Sequence, residues 1–163
     1  MSDASFNSRI SAYKAIFSSG EIQKTYQDLV AIVQSLRTSF ATEYKDQFSV
    51  ANVLHGYIDF TYFYLQNEFL KNRKLKLAFV FNHQKIQFEI WLLGQKKDVQ
   101  LAYWKKLKST KWVNEEVMPE YAIFEIVLLS NPDFNNFDSL SESIHSGYRS
   151  LSREICNTLE DYE

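Results

Sequence analysis

The sequence predicts an α+β fold: N-terminal helices, then a small mixed sheet, then a C-terminal helix. Three observations predict it. The stretch "IQKTYQDLVAIVQSLRTSF" carries apolar residues at spacings of three and four, the repeat of an amphipathic helix. The stretches "LKLAFVFN" and "IQFEIWLL" place apolar residues at alternate positions, the period of a strand. Finally, "FEIWLL" at 88–93 returns thirty-six residues later as "FEIVLL" at 124–129, which suggests two strands meeting the same demands.

Taken in order, residues 4–18 and 20–44 read as two helices. Ile22, Tyr26, Leu29, Val30, Val33, Leu36, Phe40 and Tyr44 form one stripe on the second. Gly20 is the expected break between them, with the two helices packed antiparallel. Residues 45–56 read as a loop. Residues 57–64, "YIDFTYFY", favour a strand by their aromatic and β-branched content, with a helical turn near Gln66–Lys71.

The clearest element is the hairpin over 75–93. Pairing Phe81 with Ile86 sets Phe79 beside Phe88, Leu77 beside Ile90 and Leu75 beside Leu92. All eight apolar side chains then share one face. Gly94 ends the second strand. A helix follows over "QKKDVQLAYWKKLK", with Val99, Ala102, Tyr103 and Leu107 inward and Lys97, Leu101, Lys105 and Lys108 outward. Residues 109–119 connect to a strand over 121–129, whose apolar run suggests burial on both faces. A right-handed crossover would make that strand parallel to 86–93. Asp138 or Ser139 is the expected cap of a last helix that buries Leu140, Ile144, Tyr148, Leu151, Ile155 and Leu159.

At 163 residues the chain reads as one domain over 1–163, long enough to bury a core. The 45% apolar and 23% charged content is that of an ordinary globular protein. The single Cys156 excludes an internal disulfide and a Cys-rich zinc site. It fits a reducing, cytoplasmic setting. No signal-peptide core opens the sequence, and no apolar run approaches bilayer length. No membrane partner is therefore expected.

The net charge of −2 hides an asymmetry. Residues 71–111 carry eleven basic and two acidic side chains, a local +9, and residues 112–163 carry two basic and eleven acidic, a local −9. One reading is mutual neutralisation within the fold. The other is a basic surface for an anionic partner, through Lys71, Arg73, Lys74, Lys97, Lys105 and Lys108.

The phrases "IQKTYQDLVAIVQSLRTSF" (22–40), "GYIDFTYF" (56–63), "LKLAFVFNHQKIQFEIWLLGQ" (75–95), "VQLAYWKKLKSTKW" (99–112) and "NPDFNNFDSL" (131–140) carry a resemblance. The chain resembles a family of short bacterial proteins known only as a domain of unknown function. The resemblance covers most of the chain and implies a bacterial, soluble, free-standing protein. It carries over no functional residue.

Chemistry has one candidate constellation. Glu89 and Glu125 on neighbouring strands, with Asp59 as a third oxygen donor, could hold a hard cation or divide acid and base roles. The element order is similar to the metal-dependent nuclease fold of restriction enzymes. There the carboxylate pair is followed by a lysine, and here Trp91 stands in that place. The structural alternative pairs Glu89 and Glu125 with a nearby lysine such as Lys76. His55, His83 and His145 are isolated in sequence, and Cys156 reads as a buried thiol. The aromatics Tyr57, Phe60, Tyr62, Phe63, Tyr64, Trp91, Tyr103, Trp104 and Trp112 are mostly expected in the core. A groove lined by several of them beside lysines could stack bases or hold a small anionic ligand.

These observations favour a binding or accessory protein without catalytic activity, with no metal or cofactor and an unidentified protein or anionic partner. A divergent metal-dependent hydrolase using Asp59, Glu89 and Glu125 is the second reading. A self-associating structural protein, such as a homodimer, is the third.

Overall fold

A computed structural model describes residues 4–163. It opens with α1 (Phe6–Phe17) and α2 (Glu21–Glu43). Gly20 separates them at φ +79, a left-handed conformation that glycine adopts without penalty. Along the α2 stripe Val33, Leu36 and Phe40 are fully buried, and Tyr44 just past its end is nearly so. Ile22 at the other end stays exposed, so only the C-terminal two-thirds of the stripe meets the core.

The stretch expected to be a loop holds two short strands, β1 (Ser49–Val50) and β2 (Leu54–His55). Both pair with β3 (Phe60–Gln66). Of "YIDFTYFY", residues 60–64 are strand while 57–59 bend into it, and the expected helical turn is α3 (Glu68–Asn72), capped by the Asn67 side chain. Next come β4 (Leu75–Asn82), β5 (Gln87–Gly94) and α4 (Lys97–Lys106). The chain ends with β6 (Phe124–Ser130) and α5 (Phe137–Asp161). Along the sheet the strands run β1–β3–β4–β5–β6, with every pairing antiparallel.

The α+β class and the helix–sheet–helix order are as the sequence predicts. The parallel crossover is not, because β6 pairs antiparallel with β5. The connection explains the reversal. After α4 the chain doubles back and returns to where the helix began. There Gln100 Nε2 donates to the carbonyls of Pro119 and Ala122, both at 2.9 Å. Ile123 N then donates to Leu92 O at 2.7 Å, so β6 starts beside the end of β5. It forms an edge of the sheet, with Val127 and Glu125 exposed, not a strand buried on both faces.

The hairpin register differs by two residues from the expected one. Phe81 faces Phe88, Phe79 faces Ile90, and Leu77 faces Leu92. Asn82 sets this register: its Oδ1 accepts from the backbone N–H groups of Gln84 and Lys85. Ile86, at φ +49, therefore belongs to the turn. A slip of two preserves the face of every side chain. The α5 cap is Asn136, whose side chain accepts from Ser139 N at 3.1 Å, two or three residues before the expected Asp138 or Ser139.

One sheet face carries Phe63, Leu65, Leu77, Phe79, Phe81, Phe88, Ile90 and Leu92 into the main core. Phe40 of α2 sits at its centre, 5.1 Å from Phe79, 5.5 Å from Phe63 and 4.9 Å from Tyr148 of α5 between ring centres. Every buried apolar side chain from the helices joins this cluster. On α4 and its cap Gln100, Trp104 and Leu107 are buried and Val99 and Tyr103 pack half-buried against the same cluster, while Ala102 is exposed. The opposite sheet face holds a smaller cluster: Ala78, Val80, Trp91, Leu93 and Ala122, flanked by Phe60, Tyr62 and Tyr64. Among the described residues, no helical one contributes to it.

Candidate functional site: an aromatic pocket on the open sheet face

Strand alternation builds this site. Thr61, Phe63 and Leu65 of β3 point into the core, so Phe60, Tyr62 and Tyr64 must point the other way. Beside them β4 presents Lys76, Ala78 and Val80, and β5 presents Trp91 and Leu93. Small Ala78 and Val80 leave a hollow between the flanking rings. The result is a concave pocket of about 560 Å³, with Tyr57, Asp59 and Tyr121 at its margin. Phe60 meets Trp91 edge-on at 4.9 Å, and Tyr62 meets Tyr64 at 5.5 Å.

Lys76 is the cation of the pocket. Its Nζ lies 3.5 Å over the Tyr64 ring, an attraction to the negative face of the ring. Burial lowers its pKa. Among the described residues it has no carboxylate partner. The Tyr64 phenol is pushed up to about 12, chiefly by burial and then by neighbouring Tyr62. It therefore remains a hydrogen-bond donor at neutral pH.

Glu89 holds the floor in place. It is 3% exposed. Its Oε1 accepts from Trp91 Nε1 at 2.8 Å, and its Oε2 accepts from Asn82 Nδ2 at 2.9 Å and Gln87 Nε2 at 2.7 Å. A buried carboxylate requires such donors. Glu125 pairs across from Trp91 and shares this face, as the repeat of "FEI" suggested. Although the residue as a whole is exposed on the edge strand, its carboxyl is partly desolvated, and this first, then the charge of Glu89, raises its pKa against the opposing pull of Lys85.

Asp59 has another task. Its Oδ1 accepts from Tyr57 N at 2.8 Å and Phe60 N at 2.7 Å, folding the loop before β3. Gly56 is needed there, since a Cβ would stand 2.2 Å from that same oxygen. Asp59, Glu89 and Glu125 thus serve separate ends. No group of three His, Cys, Asp or Glu among the described residues is placed to hold a metal ion. This geometry corrects the metal-dependent hydrolase expectation.

The six basic candidates lie elsewhere. Lys71, Arg73 and Lys74 surround the α3–β4 turn, Lys97 and Lys105 are on α4, and Lys108 follows it. None lines the aromatic pocket. Arg73 pairs with Glu163 and lies 3.6 Å over the Phe69 ring. Lys97 donates to Glu120 O at 2.6 Å, and Lys108 sits 4.3 Å over Trp104. Lys71 is exposed, 3.9 Å from Glu68. Lys74 and Lys105 are exposed. Arg73–Glu163 and Lys111–Glu154 join the basic segment to the acidic one, the neutralisation that the charge pattern allowed.

Two histidines are structural, while the third, His55, is exposed and lines the aromatic pocket. His83 Nε2 bonds Thr61 Oγ1 at 2.7 Å, and its ring stacks with Tyr26. His145 bridges the two long helices, with Nε2 2.6 Å from Ser39 Oγ and Nδ1 2.7 Å from Tyr44 Oη. Burial lowers both pKa values. The half-buried Cys156 thiol is pushed up by burial.

Sequence reasoning named the pocket aromatics except Tyr121, and did not name its cation. Lys76 entered only as a neighbour for the glutamates. The signal was present in its position: a lysine at an outward site of a strand, followed at the next two outward sites by Ala78 and Val80.

The chain is an α+β protein with an antiparallel sheet, helices on one face and an aromatic pocket on the other. The chain belongs to the family described as Domain of unknown function (DUF7000), which matches residues 6–159. No curated protein and no solved structure matches it.

Proposed function

We propose that this protein is a non-catalytic binding protein whose ligand joins a planar or apolar body to one anionic group. The observation that carries this reading is Lys76, a half-buried cation without a carboxylate partner at the wall of an aromatic pocket. An anion at Lys76 would gain an electrostatic partner in a partly desolvated place, where such contacts are strongest. The rings of Phe60, Tyr62 and Trp91 offer apolar and edge contacts to the rest of the ligand. The pocket volume falls in the range of small-molecule sites. The anionic-partner reading of the basic segment thus narrows to Lys76. The exposed Lys71, Lys74 and Lys105 and the locally engaged Arg73, Lys97 and Lys108 lie outside the pocket and take no part in this reading.

The reading treats residues 1–163 as one unit, since one core draws on residues from Val33 to Leu159. A bacterial cytoplasmic setting belongs to the same reading, and the single cysteine fits its reducing, cytoplasmic part. Among the described residues no helix is long and apolar enough to cross a membrane.

The test compares 1-naphthoate with neutral 1-naphthamide by calorimetry. Naphthoate should bind at least several-fold more tightly, and Lys76→Met should erase the difference. Equal affinities in the native protein, or a preference that survives Lys76→Met, would refute the reading.

A further inference from the structure

None of the twelve residues of α1 is buried. Yet Phe6, Ile10, Tyr13 and Phe17 follow at spacings of four, three and four, which sets them on one helical face. Phe6 is 68% exposed, Ile10 48% and Tyr13 55%. The Tyr13 and Phe17 rings stack at 4.4 Å. At about 100° per residue, Arg9 and Lys14 flank this stripe, one on each side, displaced by roughly 60–80°. No acidic residue occurs between positions 4 and 20, and the remaining face is mostly Ser, Asn and Ala.

We propose that α1 docks on an anionic lipid surface. A helix in the headgroup plane buries its rings at the acyl boundary and lays cationic stems along their edges. The charged heads of Arg9 and Lys14 then meet lipid phosphates, and anionic headgroups add attraction. Charge selects this occupant over a second copy. Two α1 stripes face to face would gather four cations with no carboxylate on either helix. The contact lies on the bilayer and does not cross it. One twelve-residue helix with four apolar side chains in its stripe, and Ile16 to one side, is a weak anchor, so binding is reversible and depends on salt.

The test is co-sedimentation of the full chain with phosphatidylcholine vesicles, with and without an equal share of phosphatidylglycerol. The bound fraction should be several-fold higher on the anionic vesicles at low salt and should fall toward the neutral level at high salt. Phe6→Ser with Tyr13→Ser should abolish it, and so should Arg9→Glu with Lys14→Glu. Neither pair should lower the melting temperature appreciably, because no changed side chain is buried. Absence of binding to anionic vesicles, or binding that survives both double substitutions, overturns the proposal. So does a dimer in sedimentation velocity that Phe6→Ser with Tyr13→Ser converts to monomer, which would assign the stripe to a second copy. Naphthoate binding at Lys76 is read separately and is unaffected by either outcome.

Discussion

Trp91 donates its indole N–H to Glu89 Oε1 at 2.8 Å, two positions away on the same strand. The ring at the pocket floor is thereby tied to a buried carboxylate. Glu89→Leu would leave the Trp91 and Asn82 donors unpaired in a dry place. The expected loss is on the order of 3 kcal/mol, read by urea unfolding, with a shift in tryptophan emission. Glu89→Gln should also destabilise, by a smaller amount. Asn82 cannot flip, because its Oδ1 already serves two backbone donors, so one N–H near position 89 must face another. Unchanged stability in both variants would show that the three hydrogen bonds carry no net weight.

Phe88 is fully buried between Phe79 and Phe81, with Phe134 over its edge. Phe88→Ala should cost about 3–5 kcal/mol. Chemical denaturation measures this, and a loss below about 1 kcal/mol would contradict the packing described for the hairpin.

His145 and His83 are both held with lowered pKa values. The unfolded chain then takes up protons first as pH falls below the ordinary histidine value of about 6.5. Below that point the unfolded state binds more protons than the folded one, so stability must fall with pH. The melting temperature should drop from pH 7 to pH 5, and His145→Gln should flatten the slope. A native profile flat across that interval would contradict the buried neutral imidazoles.

Gly94 closes β5 against the first turn of α4. A Cβ there would stand 2.6 Å from Gln100 N and 3.0 Å from Gln100 Cα. Both are backbone atoms, so α4 would have to move. Gly94→Ala should destabilise by about 1–3 kcal/mol, while Gly20→Asn, in open space at a left-handed position, should cost far less. Comparable losses at the two sites would refute this contrast.

The sequence shows what depends on local periodicity. The α2 and α5 stripes and the facing of β3, β4 and β5 follow from spacing alone. The facing survived a misplaced register because the error was two residues, and side chains repeat every two. The direction of β6 was not legible, because it depends on Gln100. A polar residue on a lysine-rich helix reads as surface, yet its amide secures the returning chain at Pro119 and Ala122. The pocket was half legible for a related reason. Aromatic content is visible in the letters, but the absence of a helix over the second sheet face follows only from where every stripe is spent. The carboxylates misled because identical residues in repeated phrases suggest a shared task, whereas Glu89 is enclosed by donors and Glu125 lies on the edge strand.

From β3 onward each strand lies beside the next in sequence, so β3, β4, β5 and β6 form a meander. Most sheet pairing therefore closes short loops, which favours rapid formation. The contact that joins Ser39 and Tyr44 to His145 is of another kind, spanning more than a hundred residues of chain. Its closure entropy is large, and it requires both long helices to be seated. The expected order of assembly is the meander first and the α2–α5 clamp last. Substitutions at His145 should then speed unfolding and leave the folding rate nearly unchanged, whereas substitutions at Phe88 should slow folding.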